Sequence, residues 1–210
     1  QRLFRLAPLA ALLLAATQAH STDGYFANGY GMKSIGMGGA GTAVAQEAFG
    51  GAVNPGAMSF LGNEWQLGLS WFSPQRSASR SGSGPAGIDA SVDSDSTSFF
   101  IPEFAVNYKY RPDVSIGLTV FGNGGMNTDF AGGQIPTESA CFQFRQQPGP
   151  YNLLCGDGRL GVDLMQLMIA PYASWQFTTG HSVGIAPVIA YQRFKAVGVQ
   201  TFDNPGFSTA

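Results

Sequence analysis

Five stretches of this chain alternate apolar and polar residues with a period of two. From Glu64, the residues Trp65, Leu67, Leu69 and Trp71 alternate with Gln66, Gly68 and Ser70. Phe100, Pro102, Phe104, Val106, Tyr108 and Tyr110 do so around Glu103, Asn107 and Lys109, and Val114, Ile116, Leu118 and Val120 around Ser115, Gly117 and Thr119. Leu167, Ile169, Pro171, Ala173 and Trp175 form a fourth set, and Val183, Ile185, Pro187, Ile189 and Tyr191 a fifth. This period predicts antiparallel strands with one apolar face. Pro102, Pro171 and Pro187 each remove a ladder donor, so bulges or kinks are expected there. The links alternate in length. Arg111-Pro112-Asp113 and Thr178-Thr179-Gly180 are tight turns, whereas Ser73 to Ser98 and Asn123 to Leu160 are long and polar. Short turns at one end and long loops at the other are the outer-membrane barrel pattern. A secreted β-sandwich would carry charge, not Trp, Phe and Ile, on its outer faces.

The stretch from Asp23 to Leu61 has no such alternation. It is rich in Gly, Ala and Met and nearly free of charge. Thr42 to Phe49 reads as a short helix with Thr42 as its N-cap. Asn54-Pro55 reads as an N-cap followed by Pro at the first helical position, opening a turn through Ala57, Met58 and Ser59. Elements this short need surrounding walls. A barrel lumen supplies them, so the stretch is expected to be a plug.

Composition agrees with a barrel. Charged residues make up 11% of the 210 and aromatics 12%, against roughly 25% charge in soluble domains. No apolar run reaches the ~20 residues of a membrane helix. The net charge of −2 gives no reason to expect nucleic acid as a partner. Arg2 and Arg5, the apolar run Leu6 to Ala16, and Thr17-Gln18-Ala19 have the layout of a signal peptide cleaved after Ala19. In an exported chain Cys141 and Cys155, the only cysteines, are expected to form a disulfide.

Chemistry-bearing motifs are few. Gly36, Gly38 and Gly41 satisfy G-x-G-x-x-G, but no apolar strand precedes them and no long helix follows, so no cofactor is expected. Asp89, Asp93 and Asp95 miss the calcium-loop spacing and read as a solvated acidic loop. His20, at the cleavage site, and His181, at a turn, are not placed to serve a catalytic Ser, so no enzyme is expected.

The order of motifs carries a resemblance. A leader is followed by Gly24-Tyr25-Phe26-Ala27-Asn28-Gly29-Tyr30-Gly31, then Lys33-Ser34, then Gly36-Met37-Gly38-Gly39-Ala40, then Asn54-Pro55. This resembles the FadL/TodX family of outer-membrane transport proteins for long-chain fatty acids and aromatic hydrocarbons. The resemblance implies a 14-stranded barrel plugged by an N-terminal hatch. Residues 1–19 would be the leader, 20–62 the hatch, and 63–210 the first strands and extracellular loops of a longer chain. The family usually reads Asn-Pro-Ala where this chain has Asn54-Pro55-Gly56. Those three residues, with Gly36, Gly38 and Gly39, are the expected gate. The family's third strand is kinked and opens the wall sideways. The matching stretch here is Gly122-Asn123-Gly124-Gly125, which reads either as that kink or as the start of the long loop.

The expected function is passive transport of long-chain fatty acids or similar hydrophobic molecules, with a channel for small aromatic hydrocarbons or a surface adhesin as alternatives. Phe26, Met32, Met37, Phe49 and Met58 are candidate substrate lining or plain plug packing. A carboxylate would want Lys or Arg, and Lys33 and Lys109 are candidates or ordinary surface charges. Arg193 and Lys195 share the face of Tyr191 and are expected at the lipopolysaccharide rim. The expected setting is a Gram-negative outer membrane, with the bilayer, lipopolysaccharide and the barrel-assembly machinery as partners.

Overall fold

The computed structural model describes residues 22–23 and 26–203. The expected leader and Tyr25 lie outside the described residues. The chain begins with two short strands, β1 (Thr22–Asp23) and β2 (Phe26–Ala27), a one-turn helix Met32–Gly36, and two 3-10 turns, Ala48–Ala52 and Pro55–Phe60. Strands β3 (Glu64–Phe72), β4 (Ser77–Arg80), β5 (Ala90–Asp93), β6 (Phe99–Arg111) and β7 (Val114–Phe130) follow. A short helix, Cys141–Arg145, precedes β8 (Leu160–Thr178), β9 (His181–Ile185) and β10 (Ile189–Val197).

The wall is an open antiparallel sheet in the order β3–β6–β7–β8. Beyond β8, its turn-end half pairs with β9 and its loop-end half with β10. β9 and β10 are therefore the two halves of the fifth expected strand, interrupted at Ala186-Pro187-Val188. The alternation sets the faces as the sequence implies. Trp65, Leu67, Leu69 and Trp71 stand exposed on the outer face at 64–74%, while Glu103, Asn107, Ser115, Thr119 and Ser174 are buried on the inner one. An apolar outside and a polar inside are what a barrel wall in lipid requires.

The prolines behave differently from expectation. Pro102 stays in register with Leu69, and Pro171 with Leu118. Each sits where one flanking strand is already missing. β6 has no β7 partner beyond Phe104, and Pro171 lies opposite the break in the fifth strand. The lost donors therefore cost no ladder bond, and only Pro187 interrupts its own strand. Register shifts occur instead at Tyr110, Asn123 and Phe177. β7 also runs to Phe130, so the second long link starts at residue 131 and not at Asn123.

The two long links pack on each other. β4 and β5 form a hairpin. Its Ile88 and Ala90 cover a small core of Ile135, Cys141, Tyr151 and Cys155 from the 131–159 loop. Cys141 and Cys155 are disulfide-bonded within it. Asp89 accepts bonds from the Gly82 and Ser83 amides at the hairpin tip. Asp95 pairs with Arg159, which also binds Asp129 at 2.5 Å. Two of the three loop aspartates thus hold the backbone or an arginine.

Candidate functional site: the N-terminal segment in the curve of the wall

Residues 26–62 lie along the inner face, and two sets of contacts hold them there. The turn-end set is dense. Asn107 of β6 donates to the carbonyls of Leu61 at 3.3 Å and Gly62 at 2.8 Å, and accepts from the Tyr172 hydroxyl at 2.9 Å. Lys109 donates its ammonium to the Ser59 carbonyl and its amide to Asn63 Oδ1. Ser174 Oγ accepts from the Ser59 amide at 3.0 Å and donates to the Gly56 carbonyl at 2.8 Å. Ser182 of β9 donates to the same carbonyl at 2.6 Å. Polar side chains point here because the inner face is the polar face. They find partners because so short a 3-10 helix leaves carbonyls unsatisfied at its end.

Close approach at this end needs glycines. A Cβ on Gly51 would sit 2.2 Å from the Tyr172 ring, and one on Gly184 2.4 Å from the Gly56 nitrogen. Phe49 packs beside them with Ala48, Ala105, Phe121 and Ala170.

The loop-end set is sparser. Glu47 is extended, and its carboxylate accepts from the Ser34 amide at 2.9 Å and from the Lys33 amide and Gln66 Nε2, each at 3.2 Å. That use of Glu47 explains why the expected helix over Thr42–Phe49 does not form. The segment folds back on the Met32–Gly36 helix instead, and the only helical turn there begins at Ala48. Thr42 is not a cap; its carbonyl accepts from Asn54 Nδ2 at 3.0 Å. Asn54 holds the N-cap position before Pro55 but makes no side-chain cap bond. Its side chain ties two parts of the segment together.

At the loop end the wall opens. β6 and β7 are paired only up to Phe104 and Val120. The chain between β5 and β6 rejoins β7 where Ser94 bridges Phe130 and the Asp95 amide bonds the Asp129 carbonyl at 2.8 Å. Between these points lies a window, with Phe99–Glu103 on one side and residues 121–128 on the other. β2 enters it, and Phe26 pairs with Gly124 along the edge that β6 has left. Asn123 is the extra residue of a bulge, since Gly122 pairs with Leu167 and Gly124 with Gln166. Bulges bend the strand and release pairing. The Asn123 amide accepts from the Tyr30 hydroxyl and donates to Gln166 at 3.2 Å. Gln166 continues to Gln192 at 2.6 Å, and the Tyr30 ring lies 4.1 Å from that of Phe121.

The residues singled out in the sequence fall into distinct places. Phe49 and Met58 are buried in packing, whereas Phe26, Met32 and Met37 are 40–65% exposed. Met37 borders a cavity of about 200 Å³ within the segment, beside Tyr30, Gly39 and Phe49. Met32 and Phe49 border one of about 380 Å³ across the edge of β3, with Gln66 and Glu103. Lys33 Nζ donates to the Gln46 carbonyl at 2.7 Å, and Lys109 is the clamp on Ser59. Of the three glycines expected at the gate, Gly38 and Gly39 have positive φ, +64° and +87°, and a Cβ on Gly39 would meet the Asn28 carbonyl oxygen at 1.9 Å. Gly36 and Gly38 face open space. Gly56 is the residue that Ser174 and Ser182 grip. The sequence reading passed over Glu47, Glu103, Asn107, Tyr172 and Tyr30. The one signal that pointed to Glu103 was an acidic residue on the inner face of a barrel strand.

No family model and no curated protein matches the sequence. Among solved structures, the fold is similar to that of the P. putida toluene transporter TodX, with a TM-score of 0.60 at 18% identity. The match covers 80% of this chain and 36% of that one, so the chain spans little more than a third of the transporter's length. Most of the chain thus has a fold similar to that of a stretch of that transporter.

Proposed function

We propose that this chain is part of an outer-membrane barrel of the FadL/TodX family, admitting hydrophobic molecules by passive diffusion. The observation that carries the reading is an apolar-faced wall whose curve is filled by the chain's own N-terminal segment. A surface adhesin has no need of a filled lumen. The segment acts as the hatch. Its turn-end half is a fixed part of the wall, and its loop-end half is the gate. The window between β6 and β7 is the lateral exit, obstructed at rest by β2.

Within this class, neutral hydrocarbons fit this part of the barrel better than fatty-acid anions. Both candidate lysines are spent on hatch carbonyls, and the polar groups that line the loop end are Glu47, Gln66 and Glu103. A carboxylate entering here finds neither lysine free to receive it. Apolar walls with few polar groups suit a neutral guest, and Met32 and Met37 adapt to varied shapes.

The test is saturable binding to the full-length protein in mild detergent, comparing an alkylbenzene with a long-chain fatty acid. Tighter binding of the alkylbenzene is expected. The reverse order would return the fatty acid to first place, and saturation by neither, with the barrel folded, would end the transport reading.

A further inference from the structure

Glu47 and Glu103 converge on Gly31 from opposite sides of the boundary between segment and wall. The Gly31 amide lies 3.4 Å from Glu103 Oε2, and a Cβ on Gly31 would lie 2.5 Å from Glu47 Oε1. Both are buried, at 3% and 6% exposure. Glu47 has its three donors. Glu103 Oε1 has none among the described residues, and neither has the buried Gln66 Oε1. Glu103 faces Gly68 in the ladder, so Gln66 is its diagonal neighbour on the same inner face, a separation that long side chains cross. The ion pairs among the described residues involve neither Glu47 nor Glu103.

Buried carboxylates are normally paired with a cation or bound to a metal. Both orphan oxygens are shielded by the described residues themselves, so the group that satisfies them is small. We propose that Glu103, Gln66 and Glu47 form a cation site that fastens the loop-end half of the segment to β3 and β6, and that its ligand is Ca²⁺. The donors are all oxygen, which selects a hard cation. They come from three separate elements in irregular array, which Ca²⁺ tolerates and Mg²⁺, needing a near-ideal octahedron, does not. The inference stands on the geometry of these groups and does not depend on what the barrel carries.

The experiment is calorimetric titration of Ca²⁺ into the full-length barrel, freed of lipopolysaccharide and stripped with a chelator, beside Glu103→Gln and Asp95→Asn. Glu103→Gln keeps the shape and removes an uncompensated charge, so it is expected to fold. The expected result is one site in the parent and in Asp95→Asn, weakened at least tenfold in Glu103→Gln. Limited proteolysis supplies a second readout: Ca²⁺ should slow cleavage within residues 28–47 of the parent and leave Glu103→Gln unaffected. Equal Ca²⁺ binding by parent and Glu103→Gln would overturn the proposal. So would a parent that binds no Ca²⁺, which would point to a proton shared by the two carboxylates.

Discussion

Asn107 does more than any other single side chain to seat the segment. Its amide nitrogen serves the Leu61 and Gly62 carbonyls, and its oxygen takes the Tyr172 hydroxyl. It is 1% exposed, so Asn107→Ala removes the donor to the Leu61 and Gly62 carbonyls and leaves the Tyr172 hydroxyl only the Val106 carbonyl, at a cost of about 1–3 kcal/mol. The expected outcome is faster proteolysis around residues 55–62 while the wall keeps its strand signal in circular dichroism. Unchanged cleavage would mean that Ser174, Ser182 and Lys109 suffice. Nothing in the sequence marks Asn107 for this role. Polar residues at alternate positions are what any inner face shows, and which of them meets the N-terminal segment depends on registers fixed only on folding. Lys109 makes the same point, since its inward direction was legible from the alternation and its partner, a backbone carbonyl 50 positions earlier, was not.

At the scale of elements, the strands were legible because an apolar outer face and a polar inner one impose a period of two. Breaks in pairing were not. A proline looks like a defect in any one strand, and its cost vanishes when the neighbouring strand is already absent, as at Pro102 and Pro171. The expected helix over Thr42–Phe49 failed because Glu47 is worth more as an acceptor for the Lys33 and Ser34 amides than as a helical residue. The two long loops are one unit built on the Cys141–Cys155 bridge, a separation of 14 positions. Closing a loop of that size contributes about 3 kcal/mol in the chain-entropy model. Replacing both cysteines by serine is expected to expose Tyr151 and admit protease to the 131–159 loop at concentrations that leave the parent intact. Equal resistance would assign the unit's stability to the Ile88–Ile135–Tyr151 packing alone.

At the scale of the molecule, a window in the wall and a segment filling its curve belong to one path only if the window is used. A Cβ on Gly122 would lie 2.8 Å from Ile101 Cγ2 on the facing edge, so Gly122→Val narrows the opening from within. A rise of about 1.4 kcal/mol in the barrier slows passage about tenfold. Uptake of an alkylbenzene into cells or vesicles is expected to fall by that order while binding in detergent stays unchanged. Equal uptake would take the window out of the route.

The bulge at Asn123 has one more effect. On the turn side of it the even-numbered residues of β7, from Val114 to Gly122, share the outer face. On the loop side the odd-numbered ones do, because Gly125, Asn127 and Asp129 pair with Met165, Asp163 and Gly161. One inserted residue has changed the phase of the strand, so Asn127 reaches outward to Asp163 at 2.9 Å while Phe130 turns in and is buried. Deleting residue 123 would straighten the kink and leave both faces as they are, because Gly124 would follow Gly122 directly and still pair with Gln166. Pairing Asn123 with Gln166 in a regular ladder would instead exchange inside for outside along everything that follows in β7, turning Met126 and Phe130 outward and Asn127 and Asp129 inward. Position 123 therefore behaves as a punctuation mark in the strand, where being left out of the ladder matters more than which residue is left out.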